Sequence, residues 1–177
     1  MNAKKNFTII ITIIALTVVV SCKKALESIT FTKDYTNLTF VIDTTSFVGE
    51  MTLGESVVNV DITQRLEEAG FTTVNVKEAY VKSVKIECLT PQQTFNFIRR
   101  ASLRVSGEFD NSLIIAEKEL PETHALTEIT FDVYDLNIND FFKYPNMILR
   151  VTAITDLPIE IETTVRISAK FEIKAGI

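Results

Sequence analysis

From Ile159 to Ala175 every odd position is Ile, Ile, Thr, Val, Ile, Ala, Phe, Ile or Ala, and every even position is polar. Alternation with period two predicts a strand with one buried and one wet face. A second run extends from Phe95 to Phe109, where Phe95, Phe97, Ala101, Leu103, Val105, Gly107 and Phe109 share the odd face and Arg99 interrupts it. Shorter stretches of the same kind predict strands over Leu38–Asp43, Phe47–Leu53, Val84–Leu89, Leu113–Lys118, Ile129–Tyr134 and Met147–Thr155. Asp156-Leu157-Pro158 reads as the turn of a hairpin joining the last of these to the long C-terminal strand.

Two short helices are predicted between the strands. Asp61-Ile62-Thr63-Gln64 has a capping-box arrangement, with Ile62, Leu66 and Ala69 at helical spacing and Gly70 as the stop. Asn137–Tyr144 places Ile138, Phe141 and Phe142 on one side and ends before Pro145. Neither is long enough to build a bundle. The pattern predicts one all-β domain over residues 29–177, an antiparallel β-sandwich of immunoglobulin-like or jelly-roll-like form, with a small β-barrel as the alternative.

Some apolar residues fall out of phase. Met147, Leu149, Val151 and Ala153 make one face of their strand, yet Ile148 and Ile154 stand on the other, and Ile98 sits among polar Asn96, Arg100 and Ser102. Either Phe141 and Phe142 of the second helix cover this ground, or Ile98, Phe141, Phe142, Ile148 and Ile154 form a partner surface.

The N-terminal segment follows different rules. Lys4 and Lys5 precede Thr8–Val20, a 13-residue run without charge. That is short of the roughly 20 residues a permanent spanning helix needs, so it reads as the apolar core of a signal peptide. Val19-Val20-Ser21-Cys22 follows, and the whole segment resembles the signal peptide and lipobox of bacterial lipoproteins. The resemblance implies removal of residues 1–21, a diacylglycerol on the Cys22 thiol and acylation of the new amino terminus. Residues 22–28 would then be a lipidated tether. It also implies that Lys23, where an aspartate would favour inner-membrane retention, sends the protein to the outer membrane; with no acid-rich run in Lys23–Ser28 the expected side is the periplasm, and surface exposure is the alternative.

Charge and chemistry narrow the function further. Lys4 and Lys5 leave with the signal and no acid does, so the net charge of −5 becomes −7. An acidic chain whose only paired arginines are Arg99 and Arg100 lacks the basic patch that nucleic acid demands. With Cys22 consumed by lipid, Cys88 has no partner in the chain, and its phase with Val84 and Ile86 predicts a buried, inert thiol. Asp135-Leu136-Asn137-Ile138-Asn139-Asp140 resembles half a calcium loop. Asp140 replaces the glycine of the sharp turn and Asn146 the closing glutamate, so capping is the better use. His124, the only histidine, is expected in an exposed loop. Glu160 and Glu162 are expected on the wet face of the long strand, an ordinary place for charge.

No cofactor or metal is implied. The expected function is a non-catalytic binding or assembly module tethered in the cell envelope, acting on another envelope protein. The alternative is a ligand- or glycan-binding protein using Tyr134, Phe141, Phe142 or Tyr144 as a platform, and a carboxylate-dependent enzyme comes last.

Overall fold

A computed structural model describes residues 28–71, 75–107 and 111–176. In chain order the elements are β1 (Ser28–Ile42), β2 (Gly49–Asn59), helix α1 (Thr63–Glu68), β3 (Val76–Cys88), β4 (Ile98–Ser106), β5 (Ser112–Glu119), β6 (Glu128–Thr130), β7 (Asp132–Val133), a 3₁₀ turn (Asn139–Lys143), β8 (Asn146–Thr155) and β9 (Thr163–Gly176). The described strands form two antiparallel sheets of order β1-β9-β3-β6 and β2-β8-β4-β5-β7. They do not close into a barrel. The ladders β1–β9, β2–β8, β3–β6 and β4–β5, with the chain crossing between sheets at nearly every connection, make the sandwich a jelly roll rather than an immunoglobulin fold.

The core lies between the sheets. Val165, Ile167, Ala169, Phe171, Ile173 and Ala175 of β9 face inward, as the alternation demands, and oppose Met147, Leu149, Val151 and Ala153 of β8 across the interior. Bulges explain the places where period two fails. In β3 the register slips between Val76 and Glu78 and between Val81 and Ser83. Val76, Ala79, Val81, Val84 and Ile86 therefore all point inward at uneven spacing. In β1 the slip falls between Tyr35 and Leu38, where Asn37 adopts φ 63°. Both strands are accordingly longer than predicted. In β2 the slip falls at Gly54, where any Cβ would overlap the Phe40 ring.

The bulge between Ile98 and Arg100 resolves two anomalies at once. One extra residue inverts the phase, so Ile98 is buried and Arg99 turns out to donate to the Leu120 carbonyl at 2.9 Å. Phe95 and Phe97 are buried too, but they precede the strand.

Three further expectations are corrected. β8 and β9 belong to different sheets, so Asp156-Leu157-Pro158 begins a crossover, not a hairpin. β9 starts at Thr163, and Glu160, Ile161 and Glu162 lie in the loop before it, all exposed. The strand predicted over Ile129–Tyr134 breaks at buried Phe131 into β6 and β7, one in each sheet.

α1 ends as predicted. Gly70, at φ 83°, donates to the Glu67 carbonyl and Phe71 to that of Leu66, the paired bonds of a Schellman cap. Its start differs from a capping box. Asp61 Oδ1 accepts the Thr63 amide at 2.8 Å, while Gln64 turns away to donate to Glu68. Among the described residues no helix is long and apolar enough to cross a membrane.

Candidate functional site

β1 runs from one end of the sandwich to the other. Ile42 pairs with Thr163, Gly49 with Thr155, Thr155 with Ile98, Arg100 with Glu119 and Glu87 with Glu128. The loops 43–48, 89–97, 120–127 and 156–162 therefore gather at the end where β1 finishes, here called the tip. Ser28, α1, the 3₁₀ turn and Gly176 lie at the other end, the base.

Hydrogen bonds from backbone amides tie together the tip loops and the strand ends beside them. Thr45 and Ile159 exchange two N–H···O bonds of 2.9 Å, joining the β1–β2 loop to the β8–β9 loop. The Thr155 hydroxyl accepts the Gly49 amide at 3.2 Å. Thr90 Oγ1 accepts the Thr164 amide at 2.8 Å, the Phe95 amide reaches the Leu126 carbonyl at 2.8 Å, and Asp156 donates to the Phe97 carbonyl at 3.1 Å. Buried Ile159, Phe95 and Phe97 fill the space beneath. These loops are thus cross-linked to one another and to the strand ends beside them.

On that support stand apolar side chains that the fold leaves in water. Phe47, Val48, Leu157 and Ile161 are between 45 % and 55 % exposed. Three residues separate the Gly49–Thr155 and Thr45–Ile159 pairs on each strand, and Phe47 and Leu157 are the midpoints. The Phe47 ring also lies against Gly49, whose φ of 137° suits glycine alone and whose missing Cβ leaves it room. Between the β3–β4 and β8–β9 loops is a cleft of about 260 Å³ walled by Gln93, Asn96, Phe97, Leu157 and Ile161. Asp43, Asp156, Glu160 and Glu162 stand in loops 43–48 and 156–162, all exposed, and these two loops contain no lysine or arginine.

The expected partner surface does not assemble. Ile98, Phe141 and Phe142 belong to the core, and the Phe142 ring meets Phe171 edge-on at 5.9 Å. The 3₁₀ turn therefore plugs the base and does not cover the outer face of β8. Ile148 is half-buried there beside exposed Val57, and Ile154 lies in the open between Glu50 and Arg100. Burial also removes Phe141 and Phe142 from the aromatic platform considered for a glycan, and leaves exposed Tyr134 and half-buried Tyr144. Cys22 and the signal lie outside the described residues.

The other candidates have structural uses. Asn137 Oδ1 accepts the amides of Ala79 at 3.0 Å and Asn139 at 3.2 Å, and the Asn139 side chain donates to the Lys77 carbonyl at 3.2 Å. With Ile138 donating to the Ala79 carbonyl at 2.8 Å, this polar cluster continues the sheet along the edge of β3. Among the described residues no group of three or more His, Cys, Asp or Glu could hold a metal ion. His124 is half-buried rather than exposed, its Nε2 2.9 Å from the Ile98 carbonyl. A carbonyl can only accept, so Nε2 is the donor, and buried Nδ1 has no hydrogen-bond partner among the described residues. Cys88 faces the core at the end of β3 but is only half-buried, its Sγ 3.6 Å from the Thr90 carbonyl.

The outer face of the other sheet is a lattice of ion pairs: Lys82–Glu172, Lys85–Glu128, Arg166–Glu87 and Lys174–Glu78, each 2.8–3.0 Å. Hydrogen bonds from Arg166 and then Lys85 hold the Glu87 carboxyl below the usual carboxylate range. Such exposed pairs contribute little each and mark a solvated face.

No family model matches the chain, and no curated protein does. Solved structures similar to it include a chain of turnip yellow mosaic virus, 10 % identical with a TM-score of 0.30, covering 84 % of this chain and 95 % of that one. A chain of Desmodium yellow mottle tymovirus is 8 % identical with a TM-score of 0.29, over 85 % of this chain and 89 % of that one. A third, from infectious bursal disease virus Gx strain, is 9 % identical with a TM-score of 0.33, over 84 % of this chain and 36 % of that one. Likenesses this distant carry no functional argument.

Proposed function

We propose that the chain is a cell-envelope lipoprotein, anchored through lipid on Cys22, that works as a non-catalytic binding or assembly module with the loop tip as its contact surface. The observation that carries the anchor is the order of Lys4-Lys5, the uncharged run Thr8–Val20 and Val19-Val20-Ser21-Cys22. Lys23 after the lipidated residue favours the outer membrane, with the domain facing the periplasm.

The geometry supports a tethered module. Six residues, Lys23–Ser28, reach about 20 Å at full extension, which keeps the base close to the bilayer. The 15 residues of β1 then carry the chain about 45 Å further, so the tip faces away from the membrane. Two acyl chains would hold such a domain stably, whereas one would not.

Labelled fatty acid tests the anchor. Label should enter the wild-type chain, and Cys22→Ser should abolish incorporation and leave the signal uncleaved. Label entering the Cys22→Ser chain would remove the anchor from this reading.

A further inference from the structure

We infer that the tip docks a protein partner whose contact site is apolar at its centre and ringed by lysine or arginine. The inference rests on the tip being the contact surface of the module, and it adds the chemistry of what binds there.

Phe47, Val48, Leu157 and Ile161 supply the apolar centre. They come from two loops locked together by the Thr45–Ile159 bridge, so little ordering remains to be done on binding. Aromatic side chains such as Phe47 are enriched at protein interfaces relative to the rest of the surface. The fold gains nothing from holding it in water.

The rim decides among occupants. Asp43, Asp156, Glu160 and Glu162 give the two loops four negative charges and no positive one. An anionic bilayer would be repelled. A second copy docking tip to tip would set four carboxylates against four. A basic rim on the partner is complementary, and it also speeds encounter and fixes orientation. Orientation agrees, because an anchored domain presents this end outward to other envelope proteins.

The chain has no tryptophan, so Phe47→Trp in the full chain, held in phosphatidylcholine nanodiscs, puts a single indole on the tip. Two synthetic peptides serve as probes, sharing a Leu-Phe-Leu centre and flanked on both sides by lysines in one and glutamates in the other. The indole should emit as in water before addition and shift to the blue with the lysine peptide, which should bind about tenfold tighter or more than the glutamate peptide. Salt should shrink that preference, and Glu160→Gln with Glu162→Gln should reduce it. Ile161→Trp, on the second loop, should report the same titration if Phe47→Trp alters folding.

Equal binding of the two peptides, or none by either, would overturn the inference. A blue-shifted indole in the nanodisc before any peptide is added would make lipid the occupant instead. A shift that grows with protein concentration alone would make it a second copy. The fatty-acid experiment is independent of these outcomes: an unlipidated chain that still prefers the lysine peptide loses only the anchor, and a lipidated one without preference loses only the tip.

Discussion

The two ends of the sandwich carry similar apolar residues and treat them in opposite ways. At the base, Leu66, Phe71, Ile138, Phe141 and Phe142 all leave solvent, because α1 and the 3₁₀ turn fold back over the open end of the core. At the tip, Phe47, Val48, Leu157 and Ile161 remain in water, although the loops bearing them are just as firmly bonded. Short helical turns present side chains on one side and can cap a core. The tip loops are instead tied down through backbone bridges, with Ile159, Phe95 and Phe97 already filling the space below. Hydrogen bonds order both ends, but only at the base do the ordered segments also bury their apolar side chains. That difference separates residues that hold the fold together from residues the fold leaves exposed.

The largest effect should come from the base. Phe142→Ala removes a ring packed against Phe171 and should cost about 3–5 kcal/mol, read from chemical denaturation. A loss as small as that of a surface change would mean the base is no better buried than the tip. Next comes Asn137→Ala, which strands the amide of Ala79 on the edge of β3 and should cost about 1–3 kcal/mol.

Substitution at the tip should hardly register. Ile161→Asp is expected to stay within about 0.5 kcal/mol of the parent, where strict alternation would have made it a core substitution costing several times more. A large drop in melting temperature for Ile161→Asp would show that the tip is packed after all. The smallest effect concerns pH at the base. The Thr63 side chain, then its amide, hydrogen-bond to Asp61 and hold its carboxyl below the ordinary range. The stability it contributes is present above the usual carboxylate pKa and is lost as pH falls through the lowered one. Asp61→Asn should therefore reduce the acid-limb slope of stability against pH and leave its alkaline limb unchanged.

Much of the sandwich was legible because half-buried strands advertise themselves. β8 was read to within one residue, β5 and the inward face of β9 nearly so. Legibility failed at the bulges of β1, β3 and the start of β4, where an inserted residue changes the phase. Arg99 and Ile98 looked like separate anomalies, one hinting at a partner surface, and a single inserted residue accounts for both. The Val76–Val81 half of β3 was invisible for the same reason. The site was harder still. The pattern makes Phe47 the first residue of a strand and Ile161 a buried one; the signals that could have set them apart are Pro158, read only as part of a turn, and Gly49, passed over inside the strand Phe47–Leu53.

The sequence by itself determined the class of fold, the helix stop at Gly70 and the polarity of each regular strand, since these follow from local sterics and from a period of two. It also contains the whole case for a lipid anchor, which is a linear signal. Tertiary structure alone decided the jelly-roll order, the passage of the chain between sheets after Thr155 and at Phe131, and which apolar loop residues are covered. Covering depends on what arrives from distant parts of the chain: Phe171 reaches Phe142 at the base, and nothing among the described residues reaches over Phe47. No local pattern can encode that, because the two side chains differ only in their neighbours.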